Sequence, residues 1–258
     1  MHSLFDCEQE KVLPNIESLK IKLFCDGADL ESILAHRANP WIKGFTTNPT
    51  LMRKAGVLDY EAFGRELLSS VPDRPVSLEV FADDIHGMEA QALTIARWGR
   101  NVNVKIPVTN QEGEFMGPLI RRLTGSGVTV NVTAILTVDQ VRLVAEALDP
   151  ATPAIVSVFA GRVADTGVDP VPMMRQAVEI LRSRPRAELL WASPREVLNV
   201  FQANDAGCHI ITVPPEILQK LRLVGKDLAA YSRETVSMFY RDALAAAYRI
   251  ETNAPAIA

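Results

Sequence analysis

Val102-Asn103-Val104-Lys105-Ile106-Pro107 is a short apolar run with one lysine in its middle, and it reads as a buried strand. Burying a lone ammonium is expensive, and the usual escape is a lowered pKa that leaves the amine neutral and nucleophilic. That is the form Schiff-base chemistry needs. The competing reading is a strand-end lysine whose head group reaches water along its alkyl stem, so the rest of the chain has to decide between them.

On both sides of this run the chain repeats one grammar: a short β-branched stretch, a polar or Gly/Pro corner, then an amphipathic segment of helix length. The strand candidates are Ile21 to Asp26, Gly44 to Thr47, Val76 to Phe81, Val102 to Pro107, Val128 to Thr133, Ala154 to Phe159, Ala187 to Ser193 and Cys208 to Val213. Between them lie helical segments at Leu30–Arg37, Tyr60–Leu68, His86–Trp98, Phe115–Leu123, Val138–Ala147, Pro172–Arg182, Pro194–Ala203 and Pro215–Leu223. Asp29 is a ready N-cap, and Pro194 and Pro215 suit a first helical turn. Eight alternations without an internal linker predict a single α/β domain, a closed (β/α)8 TIM barrel over residues 19–226. An open doubly wound sheet is the alternative, disfavoured because no GxGxxG corner follows the first strand. Residues 1–18 read as a polar lead-in, and residues 227–258 as an additional C-terminal helix and tail, packed on the barrel or on a neighbouring subunit.

Composition fits this class. The 258 residues are 48% hydrophobic and 22% charged, and no stretch approaches the length of a membrane span. A net charge of −4 argues against a nucleic-acid or anionic-membrane partner. The three cysteines, Cys7, Cys25 and Cys208, are far apart and suit a reducing cytoplasm better than a disulfide framework. His2, His36, His86 and His209 show no metal-ligand spacing, and neither a metal nor another cofactor is expected.

Strand parity selects a site. Alternate side chains of a barrel strand face the helices and the interior. Val102, Val104 and Ile106 share one face, and Asn103 and Lys105 the other; Val76, Leu78 and Val80 oppose Ser77, Glu79 and Phe81. Val128, Val130 and Val132 oppose Thr129, Asn131 and Thr133, and Val156 and Val158 oppose Ser157 and Phe159. The aliphatic faces meet the helices, so Lys105, Glu79, Asn131, Thr133 and Ser157 point inward, where a purely structural barrel carries branched apolar side chains. Asp26 and Asn48 fall at carboxyl ends of strands, where barrel active sites are built, although each alone also reads as a cap or a satisfied polar group. Gly161-Arg162 and Ser193-Pro194-Arg195 sit at equivalent ends and suit a phosphate, unless Arg162 pairs with Asp165 and Arg195 is simply solvated.

Asp26, Thr46-Thr47-Asn48-Pro49-Thr50, Glu79 in Ser77-Leu78-Glu79-Val80, Lys105 in Val104-Lys105-Ile106-Pro107, Asn131-Val132-Thr133, Ser157 to Arg162 and Ala192-Ser193-Pro194-Arg195 together resemble the transaldolases, from about Lys20 to Thr212. The resemblance implies a metal-free, class I transferase on a TIM barrel, acting on sugar phosphates. Lys105 would hold a dihydroxyacetone unit as an imine, Asp26 would be general base and acid, and Glu79 and Thr133 would position the water of imine formation. Asn48, Asn131 and Ser157 would hold the hydroxyls of the three-carbon unit, with Arg162, Ser193 and Arg195 on the phosphate. Fructose-6-phosphate aldolases of the same superfamily generally carry glutamine and tyrosine where Glu79 and Phe159 fall, so this pair favours transfer between sugars over use of free dihydroxyacetone. The resemblance also implies a cytoplasmic enzyme of carbohydrate metabolism, with the pentose phosphate pathway as its ordinary setting, and the trailing helix fits a homo-oligomer. A specialised enzyme making an unusual long-chain sugar, a direct aldolase and a catalytically silent sugar-phosphate binder are the alternatives.

Overall fold

The computed structural model describes residues 15–251 and divides into two compact units, Glu17–Leu221 and a second that includes the described residues 222–251. The first unit is a closed barrel of eight parallel strands in sequential order. The strands are β1 (Lys22–Asp26), β2 (Ile42–Thr46), β3 (Val76–Glu79), β4 (Val102–Pro107), β5 (Val130–Ile135), β6 (Ala154–Val158), β7 (Ala187–Trp191) and β8 (Ile210–Val213). The helices are α1 (Leu30–Arg37), α2 (Pro49–Lys54), α3 (Tyr60–Ser70), α4 (Ile85–Ile95), α5 (Gly117–Gly125), α6 (Val138–Ala147), α7 (Ala160–Asp165), α8 (Val171–Leu181), α9 (Leu198–Asp205) and α10 (Pro215–Lys220). The second unit contains α11 (Leu228–Ala245), capped by Asp227, whose side chain accepts from the Ala230 N–H. This is the expected C-terminal helix. Most of the expected lead-in, residues 1–14, lies outside the described residues.

Helix starts follow local chemistry. The Asp29 side chain accepts from Ser32, Asp59 from Ala62 and Asp84 from Gly87, while Thr137 and Gln140 form a reciprocal capping box. Two short helices, α2 and α7, fall inside segments expected to be loop. In α2, Asn48 caps and Pro49 occupies the first turn.

Two apolar layers form. The outer one packs the aliphatic face of every strand against the helices, with Leu78, Val104, Val132, Val156, Leu189 and Ile211 fully buried. The inner one is a thin band of Phe24, Ile155, Leu190, Ala192 and Ile210, with Phe159 packed against it. Phe24 fits because β2 carries glycine opposite it: a Cβ on Gly44 would stand 2.5 Å from the ring. Polar side chains lie above and below this band. Phe81, expected inward by parity, lies beyond the end of β3, half exposed, with its ring centroid 4.5 Å from that of Tyr60.

Candidate active site

Above the inner band, at the carboxyl ends of the strands, a cavity of about 510 Å³ opens. Its lining includes Asp26, Asn48, Glu79, Lys105, Asn131, Thr133, Ser157, Phe159, Arg162 and Ser193, which is every site residue expected from the sequence except Arg195.

Strand register explains the central contact. In the parallel ladder Glu79 of β3 lies opposite Lys105 of β4, and Lys105 lies opposite Asn131 of β5. Side chains of the same parity at matched positions must meet inside the barrel. Lys105 Nζ is 3.0 Å from Glu79 Oε1 and donates to the Thr47 carbonyl at 2.7 Å. The amine is therefore withdrawn from water, with the lysine 6% exposed, but it is not the lone ammonium that the strand pattern implied. Glu79 answers it, and the snorkelling alternative does not hold.

Asp26 ends β1 beside Thr46 of β2, and Thr46 Oγ1 donates to Asp26 Oδ1 at 2.7 Å. The Thr46 hydroxyl also contacts that of Thr212 on β8. Burial raises the Asp26 pKa above the ordinary carboxylate value, and Glu79 adds to the rise; Lys105 and the Thr46 hydrogen bond oppose it. Thr46 belongs to the corner Thr46-Thr47-Asn48-Pro49-Thr50 but has no role assigned from the sequence, and Thr212 is not singled out there. Parity would have found Thr212, since Ile210 and Thr212 share the inward face of β8.

Asn131 is fully buried and committed to its neighbours. Its Nδ2 donates to Ser77 Oγ at 3.0 Å, and Ser157 Oγ donates to its Oδ1 at 2.7 Å. This row of three polar residues on β3, β5 and β6 has little rotational freedom, as a preorganised wall requires. Glu79 Oε2 and Thr133 Oγ1, by contrast, are buried with no hydrogen-bond partner among the described residues. The lining also holds two non-glycine residues with positive φ, Ala134 at 62° and Ser193 at 59°. Such strain costs about 1–3 kcal/mol each and concentrates at working sites.

The two basic corners differ. Arg162 is exposed at the rim, its guanidinium 5.2 Å from the Phe159 ring centroid. Arg195 turns to Asp165, donating from Nε to Oδ1 at 2.9 Å with a second, shorter contact to Oδ2. Asp165 is thus paired with Arg195 rather than with Arg162, and the Arg195 guanidinium holds the Asp165 carboxyl below its usual range. Gly161 brings the corners together: a Cβ there would fall 1.5 Å from the Ser193 carbonyl oxygen.

Cys25 and Cys208 are buried free thiols, each pushed up to about 12 chiefly by desolvation, which leaves them unreactive as nucleophiles. Among the described residues, no group of three or more His, Cys, Asp or Glu is placed to hold a metal ion, and no helix is long and apolar enough to cross a membrane.

The profile of the Transaldolase/Fructose-6-phosphate aldolase family matches residues 23–258. A "Probable transaldolase" of Dehalococcoides mccartyi is 35% identical over 202 residues, 78% of this chain and 90% of that protein. A "Probable transaldolase" of Clostridium acetobutylicum is 38% identical over 202 residues, covering 78% and 89%. Among solved structures, one described as native KDPGal superposes with a TM-score of 0.50 at 14% identity, covering 76% of this chain and 82% of that one. KGPDC from Streptococcus mutans gives 0.50 at 11% identity, covering 76% and 88%. At such identities these two show the fold alone.

Proposed function

The chain belongs to the transaldolase/fructose-6-phosphate aldolase family, and from that premise we propose that it is a transaldolase. It moves a dihydroxyacetone unit from a ketose phosphate, fructose 6-phosphate or sedoheptulose 7-phosphate, to an aldose phosphate through an imine on Lys105. The observation that carries this reading is the meeting of Lys105, Glu79 and Asp26 at one cavity, with the Lys105 amine and a Glu79 oxygen 3.0 Å apart.

The chemistry follows from those neighbours. Glu79 takes a proton from the Lys105 amine, whose nitrogen lone pair then adds to the ketose carbonyl carbon. The tetrahedral adduct loses its oxygen as water, with the proton supplied through Glu79 and Thr133, each of which keeps a buried oxygen without a hydrogen-bond partner among the described residues. The resulting iminium is the electron sink. Asp26 removes the proton from the hydroxyl beside the carbon–carbon bond; that bond breaks, its electrons pass into the iminium to give an enamine, and the aldehyde product departs. The enamine carbon adds to the incoming aldose, Asp26 returns the proton to the new alkoxide, and water releases the product from Lys105. The raised pKa of Asp26 suits a group that must both take and return a proton.

Around this centre, Asn48, Asn131 and Ser157 hold hydroxyls of the three-carbon unit, Phe159 walls the cavity, and Arg162, Ser193 and Arg195 take the phosphate. Arg195 reaches it by exchanging Asp165 for the phosphate, an exposed ion pair being weakly held. A coupled assay with fructose 6-phosphate as donor and aldose phosphates of three, four and five carbons as acceptors tests the reading. Transfer to at least one acceptor is expected, with poor use of free dihydroxyacetone. Good turnover with free dihydroxyacetone would make it a direct aldolase instead, and absence of turnover with every pair would leave a sugar-phosphate binder.

A further inference from the structure

Below the inner apolar band, at the opposite end of the barrel, lies a second cavity of about 340 Å³ that the proposed chemistry does not use. Phe24 and Ile155 form its roof, so the band separates it from the site above. Three cations line it, Lys22, Lys43 and Arg186, with one carboxylate, Glu188. Lys22 Nζ is 2.7 Å from Glu188 Oε1, which leaves Lys43 and Arg186 as the excess positive charge. Lys43 Nζ donates to the Pro40 carbonyl, and the Arg186 side chain has no hydrogen bond or ion pair among the described residues.

Two features mark this as more than a closed-off barrel floor. Asn103, on the inward face of β4, lines the cavity and is 7% exposed, yet its side-chain amide makes no hydrogen bond to any other described residue. Its polar atoms face the open cavity instead, at an inward position where a barrel built for stability alone carries a branched apolar side chain. Lys43 reaches the cavity through an irregularity in β2. The pairing with β1 runs Leu23 to Ile42 and then Phe24 to Gly44, so Lys43 is the residue passed over. A bulge of this kind re-aims a side chain out of the regular alternation.

We propose that this lower cavity is a binding site for a small polyvalent oxyanion, a phosphate or a carboxylate of up to about citrate size. Lys43 and Arg186 supply the compensating charge, and the Asn103 amide, with Thr129 beside the cavity, supplies hydrogen bonds to the oxygens. The apolar roof keeps the anion from the upper site.

Titration calorimetry of the full chain with inorganic phosphate and, separately, with citrate tests this. Wild type is expected to bind at least one of the two probes at a site that weakens about tenfold or more in the Lys43→Ala/Arg186→Ala protein and in Asn103→Leu. The same site should persist unchanged in Arg162→Ala, which alters only the upper cavity. Binding of both probes means that charge and oxygen geometry suffice; binding of one identifies the source chemistry. Both residues of the double variant are exposed, so it should fold even if Asn103→Leu does not. The proposal is overturned if neither probe binds, if the double variant binds as wild type does, or if Arg162→Ala abolishes all binding. Failure of the transaldolase reading would leave these outcomes untouched, because they concern the other end of the barrel.

Discussion

Replacing Glu79 by alanine tests the pairing on which the upper site is built. Lys105 and Glu79 side chains are 8% and 14% exposed, and their charged atoms stand 3.0 Å apart. Removing one partner of such a pair strands the other charge, at a cost of about 3–5 kcal/mol where burial is complete. Here the Thr47 carbonyl still accepts from Lys105 Nζ, so the lower end applies, about 3 kcal/mol. At about 2–4 °C per kcal/mol for a domain of this size, Glu79→Ala should melt roughly 6–12 °C below wild type. Lys105→Met should cost a similar amount, because Glu79 Oε2 already lacks a partner and Oε1 would lose its own. The Glu79→Ala/Lys105→Met protein should lose less than the sum of the two single changes, by a coupling of about 1–3 kcal/mol measured in urea unfolding. Strict additivity of the two single changes would refute the buried pair.

Asp26 gives a prediction in pH. Burial raises its folded-state pKa above the unfolded value, so its favourable contribution is complete below the ordinary carboxylate value of about 4 and is lost as pH rises through the folded pKa. Asp26→Asn should therefore melt above wild type at neutral pH, with the gap closing on acidification, while transfer activity collapses; an unchanged melting difference from about pH 4 to 8 would count against this. Wild-type turnover should fall on its acid side at a pH above the usual carboxylate range. Gly161→Ala would set a Cβ 1.5 Å from the Ser193 oxygen, forcing the two phosphate corners apart by about 1.5–2 Å to restore normal contact. The expected results are a loss of about 1–3 kcal/mol in stability and roughly 10²-fold in kcat/KM for phosphorylated donors; wild-type kinetics would show that the corner is not part of the site. Asp165→Ala should lower KM for phosphorylated donors by releasing Arg195, and Arg195→Ala should raise it, with dihydroxyacetone kinetics unaffected by either. A rise in KM for Asp165→Ala would make Asp165 a support for Arg195 rather than a competitor.

The barrel was legible because period-2 alternation with β-branched residues marks each strand, and β4 occupies the same six residues read from the sequence. The same parity put Glu79, Lys105, Asn131 and Ser157 inside before any pairing was known. Parity does not carry register, however, so it does not show the contact between Lys105 and Glu79, and a paired amine reads as a lone one. Phe24 shows the converse limit. An apolar residue on the inward face looks like any other core residue until the glycine across from it is known. The helices α2 and α7 are six residues each, too short to show a period, although Asn48-Pro49 announces the first by its cap. The pairing of Arg195 with Asp165, thirty positions apart, has no local signature.

The most direct measurement is reductive trapping. Borohydride added to the protein with fructose 6-phosphate should leave a three-carbon adduct on Lys105, located by mass spectrometry of the peptide containing Val104-Lys105-Ile106, and no adduct in Lys105→Ala. An unmodified Lys105, or an adduct carried by a different lysine, would contradict the imine at the centre of the proposed reaction.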